Sequence, residues 1–366
     1  MNCIRLISFF SAACLAAAGP IYTLADLGTL GSSTMATGVN AFGQTVGTAT
    51  NMFGTMQAFS SGGSLTNSTS ATQSQAAAIN DEGQIAGTQY FGNQTYATVW
   101  NSGAATTVGG AGSFATGINS QGNISGMLLN NGQGNAFVSQ NGTVIDLGTF
   151  AGGSWSSAYG INDAGQAAGY GMTSGGSFRG FIWTPGQGYT LLNTLGGANS
   201  YAMSINAAGF VAGSSQTSSG YSHAFVSNGN TMQDLGTLGG VASYGYAIND
   251  SGNIVGDSFT TGNVSMDGFL EEGGVMYDIN ALLINAPGWQ ITELYGINDS
   301  NQIVGVGILN GVEHAVLLTD PPAPGPTSDI STSATPEPAA WIFTITGLTA
   351  LLLTKRGRLF RLLLRF

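Results

Sequence analysis

Short runs of small and apolar residues alternate with clusters of Asn, Asp, Gly and Gln along most of the chain. Residues 243–258, "SYGYAINDSGNIVGDS", show the unit. Small and apolar side chains alternate up to Ile248, as a half-buried strand requires, and "NIVG" is strand-like again. Between them, Asn-Asp-x-Gly supplies turn chemistry: Asn and Asp bond nearby backbone, and Gly accepts positive φ. The unit predicts a β-hairpin.

The hairpin recurs. Aligned on the turn asparagine, copies stand at Asn40, Asn80, Asn119, Asn162, Asn206, Asn249 and Asn298, with spacings of 40, 39, 43, 44, 43 and 49 residues. Asn301 replaces the turn glycine in the seventh copy and is the next best residue at such an angle. The residue after the key asparagine is Asp81, Asp163, Asp250 or Asp299 in four copies, but Ala or Ser in three. A shared catalytic carboxylate would not tolerate that, so these aspartates are expected to be turn formers. A third strand follows in each period, such as "HAFV" at 223–226 or "RGFIW" at 179–183. A fourth carries "DLGT" or a worn form of it, led by Asp146, Asn193, Asp234 and Asp278, with "SLT" and "TTVGG" the degenerate versions.

The seventh period lacks its fourth strand, while an orphan copy, "YTLADLGTL" at 22–30, precedes the first. Periods of this length with short strands mark propeller blades, and the orphan fits the gap. The expected fold is all-β: a seven-bladed β-propeller closed by an N-terminal strand. The orphan strand would lie outermost in the last blade and "SYGYAI"-type strands nearest the axis. An open β-solenoid is the alternative, but it would not need matching ends.

Composition sharpens this picture. Only 7% of the 366 residues are charged, against about 25% in an average soluble domain. Residues 19–338 hold every acidic residue and one basic residue, Arg179, for a net charge of −17. Such a surface repels phosphate backbones, which excludes nucleic acid as a partner. Both cysteines, Cys3 and Cys14, fall in "MNCIRLISFFSAACLAAAGP", which reads as a signal peptide over 1–18. Acylation at Cys14 is the alternative there. Cleavage near Ala18 leaves a propeller over 19–320 without cysteine, and therefore without disulfides or thiolate metal sites.

Residues 321–335 form a Pro/Ser/Thr-rich linker. The span 339–354, "AAWIFTITGLTALLLT", is uncharged and somewhat shorter than the ~20 residues of a spanning helix. Snorkelling of Lys355 and the flanking leucines lengthen it. The basic residues after it place the C-terminus in the cytoplasm and the bulk of the chain outside. Pro336, Glu337 and Pro338, then an apolar span, then Lys355, Arg356 and Arg358: this order resembles the PEP-CTERM sorting signal, over 336–366. The resemblance implies an exosortase-type processing enzyme as partner, contact with the membrane through the C-terminal helix, and a surface or extracellular destination after processing. The tail departs from the family in continuing with "LFRLLLRF". The recurring "DLGTLGG", "GIND-GQ-VG" and "HAF" resemble the HAF family of extracellular repeats over about 22–319. That family implies location and form rather than an activity.

Catalytic signals are sparse. His223 and His314 occupy one strand position where other copies carry Gln, Tyr, Asn, Arg or Asp, so they are expected on solvent-facing strand surface. No GxSxG, P-loop or HExxH occurs. The neighbours Asp81 and Glu82, and Glu271 and Glu272, alternate faces if extended. Cofactors are not expected, although calcium stays open on a surface rich in oxygen ligands. Trp100 and Trp183 are expected in the core, and Trp155 and Trp289, in inter-blade stretches, as exposed ligand platforms. The insertion at 280–292 is the expected binding loop. The functional expectation is an exported, non-enzymatic interaction protein of the surface or extracellular matrix, with exopolysaccharide or protein as partner. A dedicated glycan-binding module is the alternative, and a polysaccharide-degrading enzyme a more distant one.

Overall fold

The computed structural model describes residues 19–29, 33–62, 65–150 and 152–321. Its strands form seven antiparallel sheets, and the chain is a seven-bladed β-propeller. The innermost strands of blades 1 to 7 are Ser33–Val39, Gln73–Ile79, Phe114–Ile118, Trp155–Ile161, Gly196–Ile205, Gly239–Ile248 and Trp289–Ile297. Each is followed outward by the second and third strands of its repeat. The turn glycines sit at positive φ as expected, +74° at Gly83 for instance, and Asn301 takes the same region at +56°.

The ring closes as the orphan strand predicted. Thr23–Gly28 pairs antiparallel with Val312–Thr319 and completes blade 7 on its outer edge. Closure has a second fastening. Tyr22, 1% exposed, accepts at its carbonyl from the Ile284 amide and donates its own amide to the Leu282 carbonyl, both at 2.9 Å. Its ring packs with Leu270, Ile279, Ile291 and Leu294 in the largest core cluster. The expected binding loop at 280–292 is thus half of the closure. It begins as a helical turn, Ile279–Leu282, capped by Asp278, and then runs alongside the N-terminal strand.

Two fourth strands differ from expectation. Blade 1 has three strands among the described residues, because Thr66 bridges to Ala104 of blade 2 instead of pairing with its own third strand. Leu65 supplies the reason: it packs into the cluster around Trp100, between the two blades. In blade 4 the outer strand is Gly188–Leu191, and Asn193 lies in the exposed loop beyond it.

Blades meet through small residues and one large one. The third strand contributes a buried aromatic such as Phe137, Phe181, Phe225 or Phe269, or Trp100 in blade 2. Each of these rings lies over a glycine of its own second strand: Gly126, Gly169, Gly213, Gly256 and Gly87. There the innermost strand bulges and its carbonyl leans in, so a Cβ would stand 1.9–2.1 Å from backbone oxygen. The "G" ending each repeat is therefore steric. Buried serines bolt successive blades: Ser113, Ser156 and Ser243 accept from the amides of Ala97, Ala136 and Ala224 in the preceding blade, at 2.8–2.9 Å.

Candidate functional site

The innermost strands build a central channel from stacked rings of equivalent residues. At one end stand the seven turn asparagines. Each is buried, and each donates from Nδ2 to the carbonyl of its counterpart in the next blade. Asn40 donates to Asn80, Asn80 to Asn119, Asn119 to Asn162, Asn162 to Asn206, Asn206 to Asn249, and Asn249 to Asn298, at 2.9–3.1 Å. Asn298 returns to Asn40 at 2.8 Å, so the circuit is complete. The second N–H of Asn40, Asn80, Asn162 and Asn298 goes to the glutamine four residues on, which accounts for the glutamine in those repeats.

The aspartates of the turn are more than turn formers. Asp81, Asp163, Asp250 and Asp299 accept from the amides of Ala41, Ser120, Ala207 and Asp250 in the preceding blade, at 2.8–2.9 Å. Their carboxylates are exposed around a cavity of about 240 Å³ at this asparagine mouth. Among the described residues, no three His, Cys, Asp or Glu side chains are grouped to hold a metal ion.

One residue inward, Val39, Ile79, Ile118, Ile161, Ile205, Ile248 and Ile297 form an apolar collar, and the next ring is Gly, Ala or Ser. The ring after that opens the other mouth and is uneven. Blades 4, 6 and 7 place Tyr159, Tyr246 and Tyr295 there, and blade 5 Met203; blades 1 to 3 place only Thr37, Ala77 and Thr116. The missing bulk on one side leaves a cavity of about 420 Å³ at this tyrosine mouth.

Each of the three tyrosines is tied down at its hydroxyl. Tyr159 stacks on Tyr170 with ring centroids 5.0 Å apart, and their hydroxyls share a 3.0 Å hydrogen bond. The Tyr246 hydroxyl donates to Asp257 at 3.2 Å, and the Tyr295 hydroxyl donates to Glu293. The two rings lie 5.3 Å apart. Asp257 is 2% exposed, and its Oδ1 has no hydrogen-bond partner. Burial pushes its carboxyl up to about 7; the Tyr246 hydrogen bond opposes this and nearby Glu293 adds to it. Burial and the adjoining carboxylates likewise raise both tyrosines well above the ordinary phenol range.

The expected platforms sit nearby but are not fully exposed. Trp155 and Trp289 begin the innermost strands of blades 4 and 7 and are half-buried, because each indole covers a glycine of an adjoining strand, Gly134 and Gly307. Trp155 joins an aromatic slab with Tyr170, Phe178 and, through them, Tyr201 and Tyr159. Trp289 packs edge-on against His314, 5.2 Å between centroids. Trp100 is fully buried, as expected, and Trp183 half-buried.

His223 and His314 are partly exposed on their strands, as expected, and each is paired. Their Nδ1 atoms lie 2.9 and 3.0 Å from Asp234 and Asp26, the aspartates of "DLG". Those carboxylates also accept from the Gly236 and Gly28 amides, which fixes the turn at the end of the outer strand. Asn135 meets Asp146 in the same way, so the pairing is a blade-edge device. Glu271 is buried and Glu272 is partly exposed, which fits their opposite faces. Pro336, Glu337, Pro338, Lys355, Arg356, Arg358, both cysteines and the expected membrane helix at 339–354 lie outside the described residues; among those described, no helix is long and apolar enough to cross a membrane.

The tyrosine mouth was missed from sequence. Its signal was the residue three before each key asparagine, where Tyr159, Tyr246 and Tyr295 break a run of small residues.

No protein-family model matches the chain, and no curated protein matches it. Solved structures do. The β-propeller domain of the Trilobed protease from Pyrococcus furiosus, described as having an open velcro topology, is 12% identical over 82% of this chain and 94% of its own, with a TM-score of 0.49. Acylaminoacyl peptidase from Pyrococcus horikoshii is 11% identical over 78% of this chain and 52% of its own, with a TM-score of 0.47. TolB from Acinetobacter baumannii is 13% identical over 64% and 51%, with a TM-score of 0.39. The chain spans about half the length of the last two proteins. Likeness at this level transfers neither ligand nor reaction.

Proposed function

We propose that the chain is an exported, non-enzymatic interaction protein, and that its propeller binds a polysaccharide or protein of the cell envelope at the tyrosine mouth. The observation that carries this reading is the cavity of about 420 Å³ there. It is concave, walled by pinned aromatic rings, and among the described residues lined by no carboxylate, imidazole, ammonium or guanidinium. Such a lining favours holding a ligand over moving protons in it. Asp257 and Glu293 stand behind the tyrosines and are not among the lining residues. The PEP-CTERM-like tail supports presentation outside the inner membrane, with an exosortase-type enzyme processing it before the protein reaches the surface or the medium.

The test is cellular and binding together. The protein should fractionate with the envelope or medium, and exchanging Glu337 and the basic residues 355–358 for alanine should hold it at the inner membrane. Replacing Ala77 with tyrosine fills the cavity and should abolish its retention by isolated envelope. Retention unchanged by that substitution would mean that the mouth is not the binding site.

A further inference from the structure

The cavity's chemistry narrows its occupant. The described part of the chain is strongly acidic, with Arg179 its only basic residue, so an anionic ligand is repelled before it arrives. A cationic ligand could meet the tyrosine faces, but among the described residues no carboxylate lines the cavity to neutralise it, and the hydrogen-bonding groups beside those rings would go unused. What does line it is one aromatic wall, Tyr159, Tyr246 and Tyr295, and across from it small and apolar residues interspersed with Gln75 and with Thr37 and Thr116, whose hydroxyls donate to the Ala76 and Ala158 carbonyls and leave their lone pairs to accept. An uncharged ligand with one flat apolar face and a rim of hydroxyls matches both walls.

We propose that the tyrosine mouth binds an uncharged pyranose sugar, stacked on the tyrosines, as one unit of a longer chain. This rests on the mouth being the binding site proposed above. The hydroxyl anchors behind the rings fix them before the ligand arrives, which lowers the ordering cost of stacking. Tyr159 also continues outward into the half-buried slab of Tyr170, Phe178, Tyr201 and Trp155 across blades 4 and 5. That slab gives neighbouring sugar units an aromatic track, so an oligosaccharide should bind better than its monosaccharide.

The test is calorimetric titration of the full-length chain, held in a detergent without a sugar headgroup, with xylohexaose, cellohexaose, laminarihexaose and mannohexaose. Polygalacturonate is the anionic comparison. At least one neutral hexaose should bind saturably, more tightly than its own monosaccharide, and polygalacturonate should not bind. Tyr246→Ala and Tyr295→Ala should each weaken binding about tenfold. Ala77→Tyr should abolish it without lowering the melting temperature, because blades 4, 6 and 7 already carry tyrosine at that position. No neutral hexaose binding, stronger binding of polygalacturonate, or binding undiminished in Ala77→Tyr would each overturn the proposal. If Ala77→Tyr releases the protein from envelope while no sugar binds, the sugar is wrong and the mouth stands. If neither changes, both readings fall.

Discussion

Asn162 offers the sharpest test of what holds the ring together. Its side chain is buried and makes three hydrogen bonds: Nδ2 to the Asn206 carbonyl at 3.1 Å and to Gln166 Oε1 at 3.0 Å, and Oδ1 from the Gln166 amide at 3.0 Å. Asn162→Ala removes all three. The Asn206 carbonyl keeps the Gly209 amide, but the Gln166 amide loses its acceptor. At about 1 kcal/mol net for each bond, and somewhat more for the stranded amide, the loss is about 2–4 kcal/mol. Urea unfolding followed by tryptophan fluorescence should then show the midpoint lowered by roughly 1 M. Asp163→Ala is the internal comparison. It removes one exposed inter-blade bond, to the Ser120 amide at 2.9 Å, and should cost under about 1 kcal/mol. If both variants unfold together within about 0.2 M of the parent, the asparagine circuit is decoration and the argument for it fails.

Other expectations follow from the same contacts. Gly256→Ala places a Cβ 1.9 Å from the Tyr244 carbonyl oxygen and against Phe269, so it should destabilise more than Asn162→Ala; a melting temperature equal to the parent's would contradict the steric account. Tyr22→Ala, at the buried end of the closure strand, should cost about 3–5 kcal/mol in the same unfolding assay. Asp257 is raised above its unfolded value of 3.8 to about 7, so the folded state binds the extra proton between those values. Its contribution is present below about pH 4 and is lost as pH rises through 7. The urea midpoint should fall between pH 4.5 and 7.5, and Asp257→Asn, which keeps an acceptor for Tyr246, should shrink that fall. Buried Glu271, raised in the same direction, supplies the remainder.

The architecture was legible because each blade repeats one local rule. Asn, Asp and Gly at a fixed turn state where a hairpin bends, and an orphan "DLG" strand with no partner states where the ring must close. The reasons for the rule were not legible. Nothing local distinguishes an asparagine that shapes its own turn from one that also reaches a carbonyl 39 to 49 residues away, or 258 away at the closing step. The same holds for the glycine after "IV" and the serine that opens a blade, whose partners lie on another strand or in another blade. The pairing of the histidines was hidden for a related reason: a position tolerating many residues shows no partner until the aspartate of the outer strand is placed beside it. The insertion at 280–292 was legible as a long loop but not as a fastening, because its bonds to Tyr22 cross from one end of the chain to the other. The tyrosine mouth could be seen only once seven equivalent positions were set around one axis.

Closure also has a mechanical consequence. The strand Val312–Thr319 lies between Ile303–Leu309 and Thr23–Gly28, so it is laddered on both sides. It ends two residues before Pro321, where the described chain stops. Tension applied to the tail, wherever that tail is fixed, therefore runs along this strand and loads two ladders in shear at once, rather than peeling one edge bond by bond. Among the described residues the last strand is clamped by the first, 296 residues earlier, with Thr23 donating to the Thr319 carbonyl at 3.1 Å. A molecule tugged by its C-terminus would resist at a strand held on both sides, and would yield when the N-terminal strand let go.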